Sequence, residues 1–299
     1  MAIEKIAVVG AGYMGRQISL QAAAHGLEVV QVDPAAAALE EARAFHAAEW
    51  ARRGTRADNA SPVALSYQED LEAGVQGVDL VIEAAPEKIE LKKELFARLD
   101  RLCPPSTLLA TNSSSLRADQ LEDALESPER LLNLHFFGVV WERPMVELMR
   151  GTHTTDAVIA DAAAFVRGIG LVPLTVRRAS TGFLFNRVWR AVKKETLHLV
   201  DQGVADFEDV DRAWRLMFGG KQGPFALMDA IGLDVVRDIE EVYWRESGDP
   251  ADAPPSLLTD RVERGDLGVK SGRGFYTYPD PAYEREGWLG PRTDGADRP

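Results

Sequence analysis

The chain reads as an α/β protein: a mostly parallel sheet layered with helices, followed by an all-helical domain. Three observations predict this. Short apolar runs lacking period-two polarity recur between helical stretches before residue 180, which is the pattern of strands covered on both faces. A glycine-punctuated turn, Gly10-Ala11-Gly12-Tyr13-Met14-Gly15, separates the first of these runs from the first helix. Beyond Thr181-Gly182 the texture changes, and Phe185, Val188, Trp189, Val192 and Leu199 recur at helical spacing.

Taken in order, Ile6 to Val9 and Val29 to Val32 are strands, and the stretch between them is a helix that ends at Gly26. A helix from Pro34 to Arg53 comes next. The runs Val78 to Ile82, Leu108 to Thr111 and Leu131 to Phe137 continue the alternation. Val146 to Met149 and Leu171 to Val176 are two further strands, with an Ala-rich helix from Asp156 to Arg167 between them. Helical patterns then run from Asp206 to Met217 and from Leu227 to Glu246. The expected division is 1–180 for the sheet domain, 181–278 for the helical domain and 279–299 for a tail rich in Pro, Gly, Asp and Arg, either hugging the surface or mobile.

Two domains suit a chain of 299 residues that is 45% hydrophobic and 27% charged. Lys and Arg number 34 against 47 Asp and Glu, and a net charge of −13 repels nucleic-acid phosphates and anionic lipid. A small-molecule partner is expected instead. The single cysteine, Cys103, leaves no room for an internal disulfide or a cysteine metal cluster and is compatible with a reducing compartment. The opening residues lack the pattern of an export signal, and no run approaches the length of a membrane span, so a cytoplasmic protein is expected.

The glycine turn carries the first chemical signal. Gly10 permits a tight turn, Gly12 lets backbone approach a pyrophosphate, and Gly15 packs helix on strand, while the N-terminus of the following helix faces the anion. Gly10, Gly12, Tyr13, Met14 and Gly15 are therefore the expected dinucleotide contacts. Asp33 closes the second strand, 23 residues after Gly10, where a carboxylate accepts ribose hydroxyls and repels a 2′-phosphate. NAD is favoured over NADP.

Histidine occurs at positions 25, 46, 135, 153 and 198 only. His135 lies in the strand Leu131 to Phe137, at the end where open α/β sheets hold ligands, and is either a satisfied core residue or a base. Glu147 sits in the apolar frame Pro144-Met145-Val146-Glu147-Leu148, where a carboxylate is costly unless paired, and an imidazole is the economical partner. A histidine so oriented can take a hydroxyl proton while hydride leaves the same carbon. Asn112-Ser113-Ser114-Ser115 closes the preceding strand, either to cap a helix or to hold a substrate oxygen or the nicotinamide edge. Asn186 opens the helical half, as a packing amide or as a group reaching into an interdomain cleft.

These motifs together resemble the 3-hydroxyacyl-CoA dehydrogenase family, including its bacterial 3-hydroxybutyryl-CoA members. The likeness spans almost the whole chain. Besides the glycine turn it rests on Val81 to Glu87, Asn112 to Leu116, His135-Phe136-Phe137, Gly182 to Arg187, Gly223-Pro224-Phe225, Ile231 to Asp234 and Gly268 to Tyr276. The resemblance implies a Rossmann-type domain, a helical domain that pairs two subunits, and NAD as coenzyme. It implies His135 as catalytic base, Glu147 as the group orienting it, and Ser114 and Asn186 as hydrogen-bonding partners of the reacting oxygen. Asp33, Glu87 and Lys92 would touch the dinucleotide.

Two departures stand out. The family usually continues His-Phe-Phe with Asn-Pro, whereas this chain has Gly138-Val139-Val140-Trp141-Glu142-Arg143-Pro144, without a side-chain amide or a rigid turn beside the base. The stretch between Asp33 and Val78, where acyl-CoA enzymes carry a basic hairpin over CoA, is acidic and Ala-rich in its first half. Arg52, Arg53 and Arg56 are either phosphate contacts or a solvated face. The leading expectation is NAD-dependent interconversion of a 3-hydroxyacyl thioester and its 3-oxo form. The alternative keeps the chemistry on a small CoA-free hydroxy acid or alcohol of carnitine, gulonate or pyridine-carboxylate type, with Trp141 lining the pocket and Arg143 recognising a carboxylate. A third reading is a non-catalytic dinucleotide-binding protein, against which the joint presence of His135, Glu147, Ser114 and Asn186 argues. A homodimer is the default assembly, with Trp189, Trp214, Phe218 and Phe225 as apolar residues of either interface or core.

Overall fold

The computed structural model of the chain describes residues 2–53 and 65–291. Its first unit, Met1–Phe185, contains β1 (Lys5–Val9), α1 (Tyr13–Ala24), β2 (Glu28–Val32), α2 (Ala36–Arg53), β3 (Leu65–Gln68), α3 (Leu71–Gly74), β4 (Leu80–Glu83), α4 (Ile89–Leu102), β5 (Leu108–Thr111), β6 (Leu131–Phe136), β7 (Met145–Arg150), α5 (Asp156–Gly168) and β8 (Val172–Val176). These strands form one sheet in the order β3-β2-β1-β4-β5-β6-β7-β8. Neighbours run parallel except β6 and β7, which are antiparallel. The strand order reverses between β1 and β4, the crevice where such sheets bind ligands. Beyond the expected strands, β3 closes the far edge. It is a four-residue Leu-Ser-Tyr-Gln segment whose half-buried and exposed residues alternate, without the apolar run that marks a central strand.

Both faces of the sheet are covered. Ile6, Val8, Ile82, Leu134 and Leu148 pack with Ile18 and Phe165 on one side, while Ala7, Val81 and Leu109 pack with Phe96 and Leu99 on the other. Cys103 is buried in the second layer, and that burial pushes its thiol up to about 11, which keeps it protonated and unreactive. Among the described residues no helix is long and apolar enough to cross a membrane.

The glycine turn is built on close contact. A Cβ at Gly15 would lie 1.8 Å from the Gly10 carbonyl oxygen, which the buried Gln31 side chain holds at 2.8 Å. Gly12, by contrast, has nothing within 4 Å of where its Cβ would stand, so the face above it is open.

The second unit, Asn186–Pro299, takes up α6 (Phe185–Asp201), whose first residue still belongs to the first unit. It continues with α7 (Phe207–Phe218), α8 (Pro224–Ile231), α9 (Leu233–Ser247) and α10 (Ser256–Glu263). The single helix expected from Leu227 to Glu246 is two, broken at Gly232, whose φ of 104° other residues rarely adopt. Two buried aspartates organise this unit. Asp211 of α7 accepts hydrogen bonds from the free N–H groups of Phe225 (2.8 Å) and Ala226 (3.0 Å) at the start of α8, and from the Tyr276 hydroxyl (3.0 Å). Asp229 of α8 accepts from Phe275 and Tyr276 N–H (both 2.9 Å) and from the Tyr278 hydroxyl (3.0 Å). The Gly268-to-Tyr276 motif is therefore a clasp around α8. A Cβ at Gly274 would sit 2.1 Å from an Asp229 carboxylate oxygen.

Of the four apolar residues named for interface or core, Phe225 is fully buried and Trp189 packs against that core, whereas Phe218 is 70% exposed beside exposed Leu216 and Met217. Trp214 stacks on Phe218 with ring centroids 4.7 Å apart. The segment after Pro279 contributes the buried Tyr283 and the partly buried Trp288 to the same core. Residues 292–299 of the expected tail lie outside the described residues.

Two outcomes follow from this packing. Gly15→Ala is expected to cost about 3 kcal/mol or more of stability, since the obstruction is backbone. Gly12→Ala should melt like the parent and bind NADH more weakly, as measured by thermal unfolding and NADH fluorescence titration. Burial outweighs the hydrogen bonds to Asp211 and raises its carboxyl to about 6. A carboxyl that keeps its proton to higher pH when folded binds more protons folded than unfolded between about pH 4 and about pH 6, so stability falls as pH climbs through that window. Relative to Asp211→Asn, which cannot titrate, the parent should lose about 2 kcal/mol between about pH 4.5 and about pH 7.5 in urea unfolding. Parallel pH profiles would contradict this assignment.

Candidate active site

The sheet presents its functional groups at the carboxyl ends of β1, β2, β4, β5 and β6. At the coenzyme end, Asp33 follows β2 and fixes the glycine turn: one carboxylate oxygen accepts the Ala11 N–H at 2.8 Å and the other the Ala35 N–H at 2.9 Å. A cavity of about 710 Å³ opens here, lined by Gly10, Gly12, Asp33, Leu71, Pro86, Leu95 and others. Its apolar walls, the unoccluded face of Gly12 and the start of α1, which has no side-chain cap, fit an adenosine and a pyrophosphate. Tyr13 is 57% exposed at the head of α1, and Met14 packs against the sheet core.

Beneath the turn after β4 lies a charged network. Lys92 of α4 is 1% exposed, and its ammonium bonds Glu83 at 2.5 Å and the Ala85 carbonyl at 3.2 Å, with Glu87 at 3.3 Å. The second oxygen of Glu83 accepts the Thr111 hydroxyl at 2.6 Å. Lys92 thus has its donors engaged below the surface, where it holds the Ala84-to-Glu87 turn in place. Glu87 accepts hydrogen bonds from the Ser113 hydroxyl and from the Ser115 hydroxyl at 2.6 Å. Burial opposes its charge, but these bonds and Lys92 outweigh it, so the carboxyl titrates below its ordinary range.

This arrangement separates the three serines after β5. Ser113 and Ser115 are committed to Glu87, whereas Ser114 is exposed and its hydroxyl has no partner among the described residues. Asn112 turns its carbonyl oxygen to the Phe136 N–H at 2.9 Å, which ties β5 to β6 and leaves its amide donors outward.

His135 and Glu147 face each other directly in the antiparallel β6–β7 register. His135 Nδ1 and a Glu147 carboxylate oxygen are 2.8 Å apart. A carboxylate can only accept, so Nδ1 carries a proton, and in the neutral ring Nε2 is then the acceptor; Nε2 meets no partner among the described residues. Among those residues it is the histidine paired with a carboxylate. His46, buried and pushed down to about 4 by desolvation, bridges the Tyr67 hydroxyl and the Arg16 carbonyl, while His25 bonds the Gln21 carbonyl. The other oxygen of Glu147 accepts the Leu184 N–H at 3.0 Å and the Phe185 N–H at 2.6 Å. Phe183, held at a φ of 54°, packs on the imidazole at 5.1 Å between centroids, and Phe137 covers it at 4.4 Å. Asn186 follows in the first turn of α6 and is the first residue of the second unit.

The Gly138-to-Arg143 loop joins β6 to β7. Trp141 is partly buried, with its ring 6.4 Å from that of Phe45 on α2, and Arg143 is exposed with no ion pair among the described residues. Arg52 is bound by both carboxylate oxygens of Glu49. Arg56 and the side chain of Arg53 lie outside the described residues. One contact that reading the residues did not anticipate is made by Gln17 of α1, whose side chain accepts the Val140 N–H at 3.1 Å. A lone glutamine in a helix gives no signal of a partner 123 residues away.

Comparison with known proteins shows the family. The family model "3-hydroxyacyl-CoA dehydrogenase, NAD binding domain" matches residues 5–179, and "3-hydroxyacyl-CoA dehydrogenase, C-terminal domain" matches residues 182–278. A 3-hydroxybutyryl-CoA dehydrogenase of Mycobacterium tuberculosis is 36% identical, covering 93% of this chain and 99% of that one. A 5-formyl-3-hydroxy-2-methylpyridine 4-carboxylate 5-dehydrogenase of Mesorhizobium japonicum is 32% identical, over 92% and 91%. The crystal structure of (S)-3-hydroxybutyryl-CoA dehydrogenase from Ralstonia eutropha superposes with a TM-score of 0.87 at 34% identity, covering 93% of this chain and all of that one. Sheet order, coenzyme turn and full-length similarity converge: the chain belongs to the 3-hydroxyacyl-CoA dehydrogenase family and is an NAD-dependent oxidoreductase.

Proposed function

We propose that the protein interconverts a 3-hydroxyacyl-CoA and its 3-oxoacyl-CoA. The observation that carries this reading is the Glu147-bound imidazole of His135, whose Nε2 has no partner among the described residues, with the uncommitted hydroxyl of Ser114 also following the carboxyl end of the neighbouring strand. NAD, when bound, supplies the hydride acceptor. In the oxidation direction His135 takes the hydroxyl proton at Nε2. Glu147 holds the ring in the tautomer that can do so and balances the imidazolium that forms. Ser114 and Asn186 donate hydrogen bonds to the oxygen as it becomes a carbonyl. Asp33 engages the adenosine ribose, and the first turn of α1, from Gly12 to Met14, meets the pyrophosphate. Asn112 and Glu87 border the nicotinamide end, with Lys92 setting the position of Glu87.

A second reading, turnover of a small CoA-free hydroxy acid, is favoured by one specific feature. Arg52, which could meet a CoA phosphate, is held in a surface pair with Glu49, while exposed Arg143 and partly buried Trp141 suit a compact carboxylate. Exposed apolar Leu216, Met217 and Phe218 support a homodimer formed through the helical unit.

NADH oxidation with acetoacetyl-CoA should exceed that with free 3-oxo acids at equal concentration. Faster turnover of a free acid would select the second reading. His135→Ala is expected to lower kcat by about 100- to 10,000-fold, the usual contribution of a positioned base, and Glu147→Gln by about 100-fold, with NADH affinity retained in both. A His135→Ala protein that turns over within threefold of the parent would remove His135 from the mechanism.

A further inference from the structure

We propose that Gln17 is a positioning residue that fastens the substrate-side loop, Gly138 to Arg143, to the helix that opens the coenzyme site. The proposal rests on the reading of His135 as the base, because this loop begins three residues beyond it.

Three consecutive contacts bind the loop to α1 and α2. Gly138 comes first. A Cβ there would lie 2.7 Å from a ring carbon of Tyr13, 3.1 Å from its hydroxyl and 3.2 Å from the Met14 sulfur, so the loop can sit flush on the coenzyme turn because this position has no side chain. Next, the Val140 N–H donates to the Gln17 side-chain oxygen at 3.1 Å, while the amide nitrogen of Gln17 donates to the Tyr13 carbonyl at 3.0 Å. Trp141 then packs on Phe45, whose ring is also met by the Arg16 guanidinium at 4.7 Å.

The middle contact is the directional one. Gln17 is 2% exposed and Val140 1%, so the N–H of Val140 has no ready substitute for its acceptor, and a buried donor left without one is costly. A single carboxamide therefore links the turn that receives the pyrophosphate to the loop that follows the base. It also supplies from position 17 the side-chain amide that position 138 lacks. Coenzyme binding, which acts on Gly12 to Met14, consequently reaches the loop by this directional contact as well as by the packing of Gly138 on Tyr13 and Met14.

Two variants separate this role from ordinary packing. Gln17→Met keeps the length and removes both hydrogen bonds, whereas Gln17→Glu, in its protonated form at low pH, keeps an acceptor for Val140 and a donor for the Tyr13 carbonyl. In Gln17→Met, backbone hydrogen exchange at Val140 should accelerate about tenfold or more, the scale of one lost buried bond, and NADH should slow exchange at Val140 less than it does in the parent. The acetoacetyl-CoA KM should rise about tenfold, with kcat and NADH affinity each within about twofold of the parent. Gln17→Glu should keep most of the loop protection at low pH, where its carboxyl is protonated, and lose it as the carboxyl ionises against the Tyr13 carbonyl. The proposal fails if loop exchange in Gln17→Met matches the parent, if Gln17→Glu at low pH loses as much as Gln17→Met, or if KM, kcat and NADH affinity all decline together. Failure of the His135 reading would appear in the parent, as absent His135-dependent turnover, and hydrogen exchange would still decide whether Gln17 holds the loop.

Discussion

Glu147 is wholly buried in the strand next to His135, and a carboxylate taken out of water must have its charge met by donors that stay put. One of its oxygens faces the imidazole and the other accepts two consecutive backbone N–H groups, at Leu184 and Phe185. Those N–H groups lie at the start of α6, where a negative charge is favourable because the first turn of a helix leaves its donors unpaired. The same side chain therefore fixes a ring at the carboxyl end of β6 and fixes where the following helix begins. Gly182 and Phe183, both at positive φ, turn the backbone so that the donors point at the carboxylate and the Phe183 ring lies on the imidazole.

Buried charge is stabilised in two ways, by an opposite charge or by neutral donors, and the helical unit uses both: Glu240 there is paired with Lys193 at 3.0 Å and Arg190 at 3.1 Å. At the carboxyl ends of the strands, Glu83 is neutralised by Lys92, and the pair is completed by Thr111 and the Ala85 carbonyl. The network ties the turn after β4 to α4 through Lys92, whose ammonium is spent on it. In the helical unit, Asp211 and Asp229 are stabilised by backbone N–H and tyrosine hydroxyls instead. Neutral donors compensate burial less completely, so both carboxyls titrate above their ordinary range.

Much of this was legible in the residues, for identifiable reasons. Central strands announce themselves because burial on both faces demands unbroken apolar runs, as Val81-Ile82 and Leu131-Leu132 do. β3 escaped notice because an edge strand of four residues, half of them polar, needs no such run. The glycine turn and Asp33 were readable because the constraint is local. Glu147 was readable because a carboxylate in an apolar frame asks for a partner, and the antiparallel pairing of β6 and β7 placed His135 opposite it. What could not be read depends on distant contacts: the break at Gly232, the burial of Lys92, the division of labour among Ser113, Ser114 and Ser115, and the reach of Gln17 to Val140. None of these leaves a periodic trace, since each is decided by which neighbour the fold brings alongside.

The clasp formed by Gly268 to Tyr276 around Asp229 bears on how such chains are recognised. It is among the most distinctive stretches of the sequence, yet its glycines and Tyr276, with Tyr278 beyond it, serve to seat two buried acids, Asp229 of α8 and Asp211 beside it. A descendant that had lost its imidazole, and with it all turnover, would still need that seat in order to fold. Signature matches in the carboxyl-terminal half therefore track ancestry and architecture, whereas inheritance of the chemistry must be judged from the handful of side chains at the carboxyl ends of the strands.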